Sequence, residues 1–529
     1  MRVLSGIWSG IAVVVFLLIV IGGSITLTAM TSTSVSLSSA LADPYLIGVI
    51  RFTIGQAVLS TVISVGLALI VTRALARRSK FPGRGLLISL MGLPVVMPVI
   101  VAIFGITAVF GKSGLLNQLL SLFGVEQSFT VYGLTGILLA HTFFNLPLTI
   151  RLLLPAWESI PRENWRLASM LGMSSRQLFR LLEWPSISDR LPGICLIVFL
   201  LCFTSFAVVL TLGGGPAATT IEVAIYQALR YDFELSQAAL LALLQLSLCT
   251  VAALGLLKWF RVFAATSGRK VDASDRPDIH STTGKAIDVF CIGICAIFLL
   301  LPIAMIFYSG IRGPIYKVIS DPILWLASGR SLIIAILATV ISMLLAMGLI
   351  KSVRFLREKT KQQKGAELAL TIGSMTVAIP PMVIGTGFFL IALRTHTLAH
   401  ATLIMIALVN AVMVLPYLLR SISPPYIQTG EQYYKLCRHL GLSGLQRFRL
   451  IDWPIIRKPT AFAVGLGGAL SFGDMGVAAL FDTDGQVTLP VMLYHQLGAY
   501  QFDEASVTAV FLLLLCVAFF WAINQIIGR

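Results

Sequence analysis

Charge is scarce in this chain. Only 12% of its 529 residues are Asp, Glu, Lys or Arg, about half of the roughly 25% in a soluble domain. That shortage excludes a soluble enzyme, a secreted disulfide scaffold and a disordered protein. Histidine is scarce too, with six residues. His396 and His400 are the one pair at helical ligand spacing, and they fall in a short loop. The seven cysteines show neither metal-ligand spacing nor a disulfide framework. Cys195, Cys202, Cys249, Cys291, Cys295 and Cys516 lie in apolar runs, and Cys437 lies in a basic loop. Cys291 and Cys295, four apart on a helix, read as packing or lipid-facing residues. No Gly-x-x-x-x-Gly-Lys-Ser/Thr segment occurs, so the chain has no P-loop of its own. No catalytic constellation and no metal site is expected.

What the chain has is length in apolar runs: 57% of residues are hydrophobic and the mean hydropathy is +0.91. A helix needs about 20 apolar residues to cross a bilayer. Such runs fall at 7–29, 48–72, 86–111, 131–154, 192–213 and 236–258, and again at 286–309, 330–350, 368–393, 399–419, 460–481 and 505–526. The fold class expected is an all-α polytopic integral membrane protein of about twelve spans. Ala40-Leu41-Ala42 resembles a signal-peptide cleavage site. The first run is nonetheless read as a retained span, because it is long, ends well before Ala40, and has an equivalent at 286–309.

The net charge of +16 is explained by topology. All but seven of the 39 Lys and Arg residues fall in the alternate segments 73–85, 151–190, 258–288, 351–367 and 420–459 or at the chain ends. The seven are Arg51, Lys112, Arg230, Arg312, Lys317, Arg330 and Arg394. Basic loops mark the cytoplasmic side, so both termini are expected in the cytoplasm. Nucleic acid is not an expected partner.

The chain repeats itself. Residues 162–187 (RENWRLASMLGMSSRQLFRLLEWPSI) and 431–456 (EQYYKLCRHLGLSGLQRFRLIDWPII) match at an offset of 269, with eleven of 26 positions identical. Arg166 pairs with Lys435 and Glu183 with Asp452. The same offset aligns Pro147 with Pro416, Arg151 with Arg420, Tyr231 with Tyr500, Phe233 with Phe502 and Glu234 with Asp503. Thr61-Val62-Ile63-Ser64 recurs as Thr339-Val340-Ile341-Ser342. The expected organisation is a first half at 1–258, a cytoplasmic linker at 259–286 and a second half at 287–529. A pseudo-two-fold axis would run along the membrane normal, with the pathway between the halves.

The strongest identity lies in a charged loop rather than in a span. Each copy reads as two short helices around a glycine, Gly172 or Gly441, which suits a left-handed helix end. Ser174 to Gln177 and Ser443 to Gln446 fit capping boxes opening the second helix. Thr429 to Gln432 fits one opening the upstream helix. Trp184-Pro185 and Trp453-Pro454 are expected to stop the downstream helix. Two copies facing one side suggest a duplicated docking surface for a two-fold partner.

A glycine followed thirteen residues later by proline, in a loop before the penultimate span, resembles the EAA motif of ABC importer permeases. Gly172–Pro185 and Gly441–Pro454 both have that spacing. The resemblance implies that each loop docks on a cytoplasmic ABC ATPase subunit, which holds ATP and magnesium; this chain would bind no cofactor. It also implies a periplasmic substrate-binding protein, an inner-membrane location and transport by alternating access. The coupling residues so implied are Glu163, Arg166, Ala168, Gly172, Glu183 and Pro185, with Glu431, Lys435, Gly441, Asp452 and Pro454. The family's Glu-Ala-Ala is Arg166-Leu167-Ala168 here and Lys435-Leu436-Cys437 in the second copy. Which carboxylate takes the usual glutamate's role is therefore open, and the basic residues can meet acidic groups of the partner instead.

Fused double permeases of this length resemble subfamilies for ferric iron and for thiamine and its phosphates. The segments 471–481, 488–500 and Arg180-Leu-Leu-Glu-Trp-Pro185 look most like the thiamine subfamily. Asp474 is the one carboxylate well inside an expected span, and Ser205 is its repeat partner. An ionisable residue within a span is costly and marks a pathway candidate; a carboxylate there suits the thiazolium cation. Solvation at a span end, or helix capping, is the plainer alternative. Pro94, Pro98, Pro380 and Pro381 break the third span of each half. Tyr226, Tyr231, Tyr494, His495 and Tyr500 lie in external loops as candidate contacts for the binding protein. A ferric-iron or other small-solute ABC permease is the alternative, and a secondary transporter is a more distant one.

Overall fold

The computed structural model describes residues 5–32, 42–124, 129–263, 276–279, 281–358, 362–442, 444–482 and 486–528. Both chain ends, Ala40, Leu41, Ser443 and residues 264–275 and 280 of the linker lie outside them, as does the side chain of His400. Every regular element among the described residues is helical. Lipid offers no partner for a backbone N–H or C=O, and a helix satisfies its own.

Among the described residues, ten helices are long and apolar enough to span a membrane, from Ile7–Thr31 to Phe502–Gly528. Two bent pairs raise the number to twelve: Ser175–Ser188 with Leu191–Phe203 at 58°, and Gln363–Ala378 with Pro381–Arg394 at 83°. They coincide with the twelve expected runs. Pro322–Glu358 has 37 residues, about 55 Å at 1.5 Å per residue, well beyond a hydrocarbon core of about 30 Å. Its basic end, with Arg354 and Arg357, can therefore stand clear of the lipid.

The third spans break at their prolines, as expected. Pro98 and Pro380 each have an extended ψ of 135° and each precede a new helix, Val99–Phe110 and Pro381–Arg394. The fifth spans break as well, at repeat-matched positions. Ser205 separates Leu191–Phe203 from Phe206–Leu212, and Asp474 lies between Trp453–Phe472 and Gly476–Leu480. Gly473 lies so close to Pro98 that an added Cβ would sit 2.9 Å from the proline Cβ. Breaks from the two halves thus meet. Interrupted backbone at membrane depth is tolerated where protein or a cavity covers it.

The halves interlock. The Ser5–Leu17 helix packs on Pro322–Glu358 of the second half, and Gly23–Thr31 packs on Pro381–Arg394. The Gly10 N–H donates to Ser352 Oγ at 2.7 Å, and Ser24 Oγ donates to the Ile384 carbonyl at 3.0 Å. In return, Thr282–Arg312 packs on Val99–Phe110 and Pro44–Arg77 of the first half. Small residues let these backbones approach closely. The ends opposite the basic loops are matched too. Thr53 Oγ1 accepts from the Ile221 N–H at 3.0 Å, and Ser331 Oγ accepts from the Leu489 N–H at 2.9 Å. Each hydroxyl caps a short helix, Ile221–Arg230 or Leu489–Gly498, by taking one of its free N–H groups.

The crossing at Gly10 is testable. A Cβ there would lie 2.5 Å from Ser352 Oγ, whereas Gly55 has open space around it. Gly10→Val should cost about 1–3 kcal/mol by overpacking, seen as a lower melting temperature in detergent. Gly55→Ala should not lower it. Equal melting curves for Gly10→Val and wild type would disprove the close crossing.

Candidate functional site

The two repeated loops sit at the basic ends of the long helices, and each is held by an ion pair that water barely reaches. The first begins with the helix Arg162–Met170. Gly172 ends it with φ +60, and the Met173 N–H returns to the Ala168 carbonyl at 3.0 Å. In the second copy Gly441 has φ +67, and the Leu442 N–H returns to the Cys437 carbonyl at 2.9 Å. This six-to-one bond with a left-handed glycine is the Schellman helix end. The Ser174 N–H donates to Gln177 Oε1 at 2.8 Å, closing the expected capping box. Its counterpart at Ser443 lies outside the described residues.

Two expectations fail. Trp184-Pro185 and Trp453-Pro454 do not stop a helix; they start one. The chain runs through a single π-turn, Phe179–Glu183 or Phe448–Asp452, directly into Trp184–Ser188 or Trp453–Phe472. Proline lacks an N–H, and a first-turn position does not need one. The upstream box at Thr429 is absent as well. Leu398–His439 is one helix of 42 residues, and Thr429 sits inside it with Oγ1 donating back to the Pro425 carbonyl at 2.6 Å. The helix runs on past Pro424 and Pro425, packed through Ile422, Tyr426 and Ile427, so no new start is needed.

Each π-turn ends on a buried carboxylate. Glu183 Oε2 meets Arg73 Nε at 2.7 Å, and Glu183 Oε1 accepts from Arg276 Nη2. The Arg276 guanidinium lies 4.2 Å from the Trp165 ring centroid, and its Nε meets Asp278 at 3.1 Å. Arg77 holds Asp278 at 3.0 Å and Asp288 at 3.2 Å. In the second copy Asp452 pairs with Arg354 at 2.9 Å. Arg354 lies 4.6 Å from the Tyr426 ring and meets Glu358 at 2.7 Å, and Arg447 meets Glu358 at 3.1 Å. Arg73 over Phe179 at 4.8 Å is matched by Lys351 over Phe448 at 5.9 Å. Each loop thus rests on a post of carboxylate, arginine, aromatic face and second carboxylate. Burial works against the Asp278 carboxylate, yet Arg276, Arg77 and Arg73 hold its pKa below the ordinary value.

The other sequence-derived residues divide by exposure. Ala168 and its repeat partner Cys437 are buried. Glu163, Arg166, Gly172, Pro185, Glu431, Lys435, Gly441 and Pro454 are exposed. Glu431 reaches Arg357 at 3.9 Å across a largely exposed surface. Exposed apolar side chains recur at matched places: Leu167, Leu171 and Leu181 in one loop, Leu436, Leu440 and Leu450 in the other. The sequence reading missed these leucines and also missed Arg73, Arg276 and Arg354. The leucines were identical between the copies, which was the signal available.

In the spans, Asp474 Oδ1 accepts from the Gly476 N–H at 3.1 Å. Its Oδ2 is buried without a hydrogen bond of standard length and angle. A second buried carboxylate, Glu222, was read as part of an external loop. It is 2% exposed and accepts from Gln245 Nε2 at 2.7 Å. It lies within electrostatic reach of Asp474. In the register that matches the Ile221 and Leu489 caps, its repeat counterpart is Pro490. Of the external aromatics, Tyr226 is buried against Phe206 at 5.3 Å, so it offers no contact surface. Tyr231 and Tyr500 are exposed. His495 pairs with Asp482 at 3.1 Å, and that hydrogen bond raises its pKa.

The posts predict two measurements. Glu183→Ala strands Arg276 and should cost about 3–5 kcal/mol, read as a lowered unfolding midpoint; an unchanged midpoint would contradict the buried pair. Asp278 has a lowered folded pKa, so its stabilisation is present above the unfolded value of about 3.9 and lost as pH falls through the folded one. The emission of Trp165, with the other tryptophans changed to Phe, should hold from neutral pH to about 4 and change only below. A transition near pH 6 would contradict it.

No family model matches the chain. Curated relatives do. The chain is 42% identical over 492 residues to the thiamine transport system permease protein ThiP of Escherichia coli, covering 92% of this chain and 90% of that protein. It is 40% identical over 480 residues to the protein of the same name from Brucella abortus, covering 90% and 87%. A sulfate transport system permease protein, CysT of Salmonella typhimurium, is 26% identical over 230 residues, 43% of this chain and 80% of that protein. With alignments that run nearly end to end and an all-helical fold of ten to twelve spans, the chain belongs to the family of thiamine transport system permease proteins.

Proposed function

We propose that this chain is the membrane-spanning subunit of a binding-protein-dependent ABC importer and that it carries thiamine or its phosphates inward. The loops 162–187 and 431–456 dock on two cytoplasmic ATPase subunits, which hold ATP and magnesium. A periplasmic binding protein delivers substrate to the opposite face, near Tyr231 and Tyr500. The protein sits in the inner membrane with both termini in the cytoplasm and acts as a transport subunit, with hydrolysis left to its partner.

One observation carries this reading: two copies of an exposed leucine triplet, each braced by a buried arginine–carboxylate post. Exposed apolar groups at repeated positions suit a partner that is itself two-fold. The braces suit a loop that must transmit force without unfolding. Glu163 and Glu431, exposed beside the triplets, are open to the partner; Glu183 and Asp452 serve inside the brace. ATP biases the halves by binding one arrangement better than the other. The names of the relatives favour thiamine over ferric iron.

For the pathway, the reading places Ser205 and Asp474 at the breaks of the fifth spans, with Glu222 beside Asp474. Two carboxylates there suit an organic cation. The test is uptake of labelled thiamine in a thiamine-requiring strain that lacks the native permease. Expression of this chain with its ATPase and binding protein should restore uptake. Gly172→Leu with Gly441→Leu should abolish it, because side chains at positive φ are strained by roughly 1–2 kcal/mol each. Asp474→Asn should raise the half-saturating concentration of the loaded binding protein or lower the maximal rate about tenfold, without loss of protein in the membrane. Normal uptake without this chain would remove the substrate assignment; normal uptake by Asp474→Asn would remove that residue from the pathway.

A further inference from the structure

The two posts draw their arginines from different parts of the chain. At an offset of 278, Thr53 matches Ser331, the two helix caps, and Arg73 matches Lys351, the two cations over Phe179 and Phe448. The same register pairs Arg354 with Ala76 and Glu358 with Lys80. The first half therefore has no helix-borne equivalent of the Arg354–Glu358 pair. Arg276 and Asp278 stand in its place, and they belong to the linker between the halves.

We propose that the linker segment 276–278 is a strap that positions the first loop and makes the two loops mechanically unequal. This rests on the coupling role given to the loops above. Arg276 is 2% exposed and is held on three sides, by Glu183, Asp278 and the Trp165 ring. An arginine so buried needs such partners to offset its lost hydration. A passive connector would leave its charges in water. Ten residues past Asp278, Asp288 opens the first span of the second half and is clamped by Arg77 at 3.2 Å and Arg78 at 3.0 Å. Arg77 holds Asp278 as well. The strap thus links three things: the π-turn of the first loop, the end of Pro44–Arg77, and the start of Thr282–Arg312. Displacement of that span against the first half pulls on Glu183. The second loop is braced by Arg354, Glu358 and Arg447, all on the second half's own helices and loop. It feels no such pull.

Arg276 is accordingly a positioning residue, and a charge partner alone does not replace it. The test uses the assembled transporter with its ATPase and binding protein in lipid vesicles, reading thiamine carried per ATP hydrolysed alongside the melting temperature. Arg276→Ala should lower both. Arg276→Ala with Ala76→Arg gives Glu183 a second helix-borne cation beside Arg73 in place of the linker's; it should recover melting temperature but leave the transport ratio about tenfold low, the size of one lost charge-assisted contact. Asp278→Asn keeps Arg276 on Glu183 and weakens its tie to Arg77, so it remains informative if the first variants fail to fold. It too should lower the ratio, with a smaller drop in melting temperature than Arg276→Ala. Recovery of the full ratio by the double variant, or an unchanged ratio in Asp278→Asn, would overturn the strap. Absence of ATP-dependent uptake by the wild-type assembly would instead overturn the transport reading beneath it.

Discussion

A carboxylate taken out of water must be met by a cation held where it is needed. Much of the loop architecture at the basic ends of the helices follows from that requirement. Glu183 and Asp452 terminate the two π-turns, and both are buried. Once buried, each fixes an arginine, each arginine fixes an aromatic face and a second carboxylate, and the loop above becomes stiff. The net stability from such a cluster is small, because desolvation offsets most of the attraction. What it supplies is position. Leucines on the outer side of each loop stay exposed because the inner side is fully engaged.

Most of the fold was legible in the apolar runs. Twelve stretches of sufficient length were met by ten long apolar helices and two bent pairs among the described residues, since lipid leaves the backbone no alternative to helix. The repeat was legible too, because Gly172 and Gly441 need the same left-handed turn and Glu183 and Asp452 need the same pocket. Helix ends were not. Trp-Pro reads equally well as a stop or as a first turn, and only the preceding π-turn decides between them. The box at Thr429 failed because a local capping preference of about 1 kcal/mol gives way to a long packed helix.

The partners of the posts were hidden for a different reason. Arg73, Arg276 and Arg354 lie 110, 93 and 98 residues from the acids they meet, and no local pattern marks an arginine as buried. In the first half the expected position is Ala76, so the repeat itself pointed away from the linker. Glu222 was concealed likewise. It sits in a stretch too short to span, yet the fold covers it with Gln245.

On the proposed reading, symmetry is kept where two identical partners would be met and lost where one substrate would be passed. Leu167, Leu171 and Leu181 recur as Leu436, Leu440 and Leu450, as a two-fold partner requires. Along the proposed pathway, Asp474 matches Ser205 in the repeat, and Glu222 matches Pro490. A small cation has no two-fold axis, so a pathway that binds it gains nothing from equal walls. One carboxylate from each half, at positions the repeat does not match, gives it a direction of approach, while an acid at every matched position would add like-charge repulsion at membrane depth. The strap fits the same division. The surfaces offered to the partner are alike, but the means of bracing them differ, because only one linker joins the halves and it can reach only one loop.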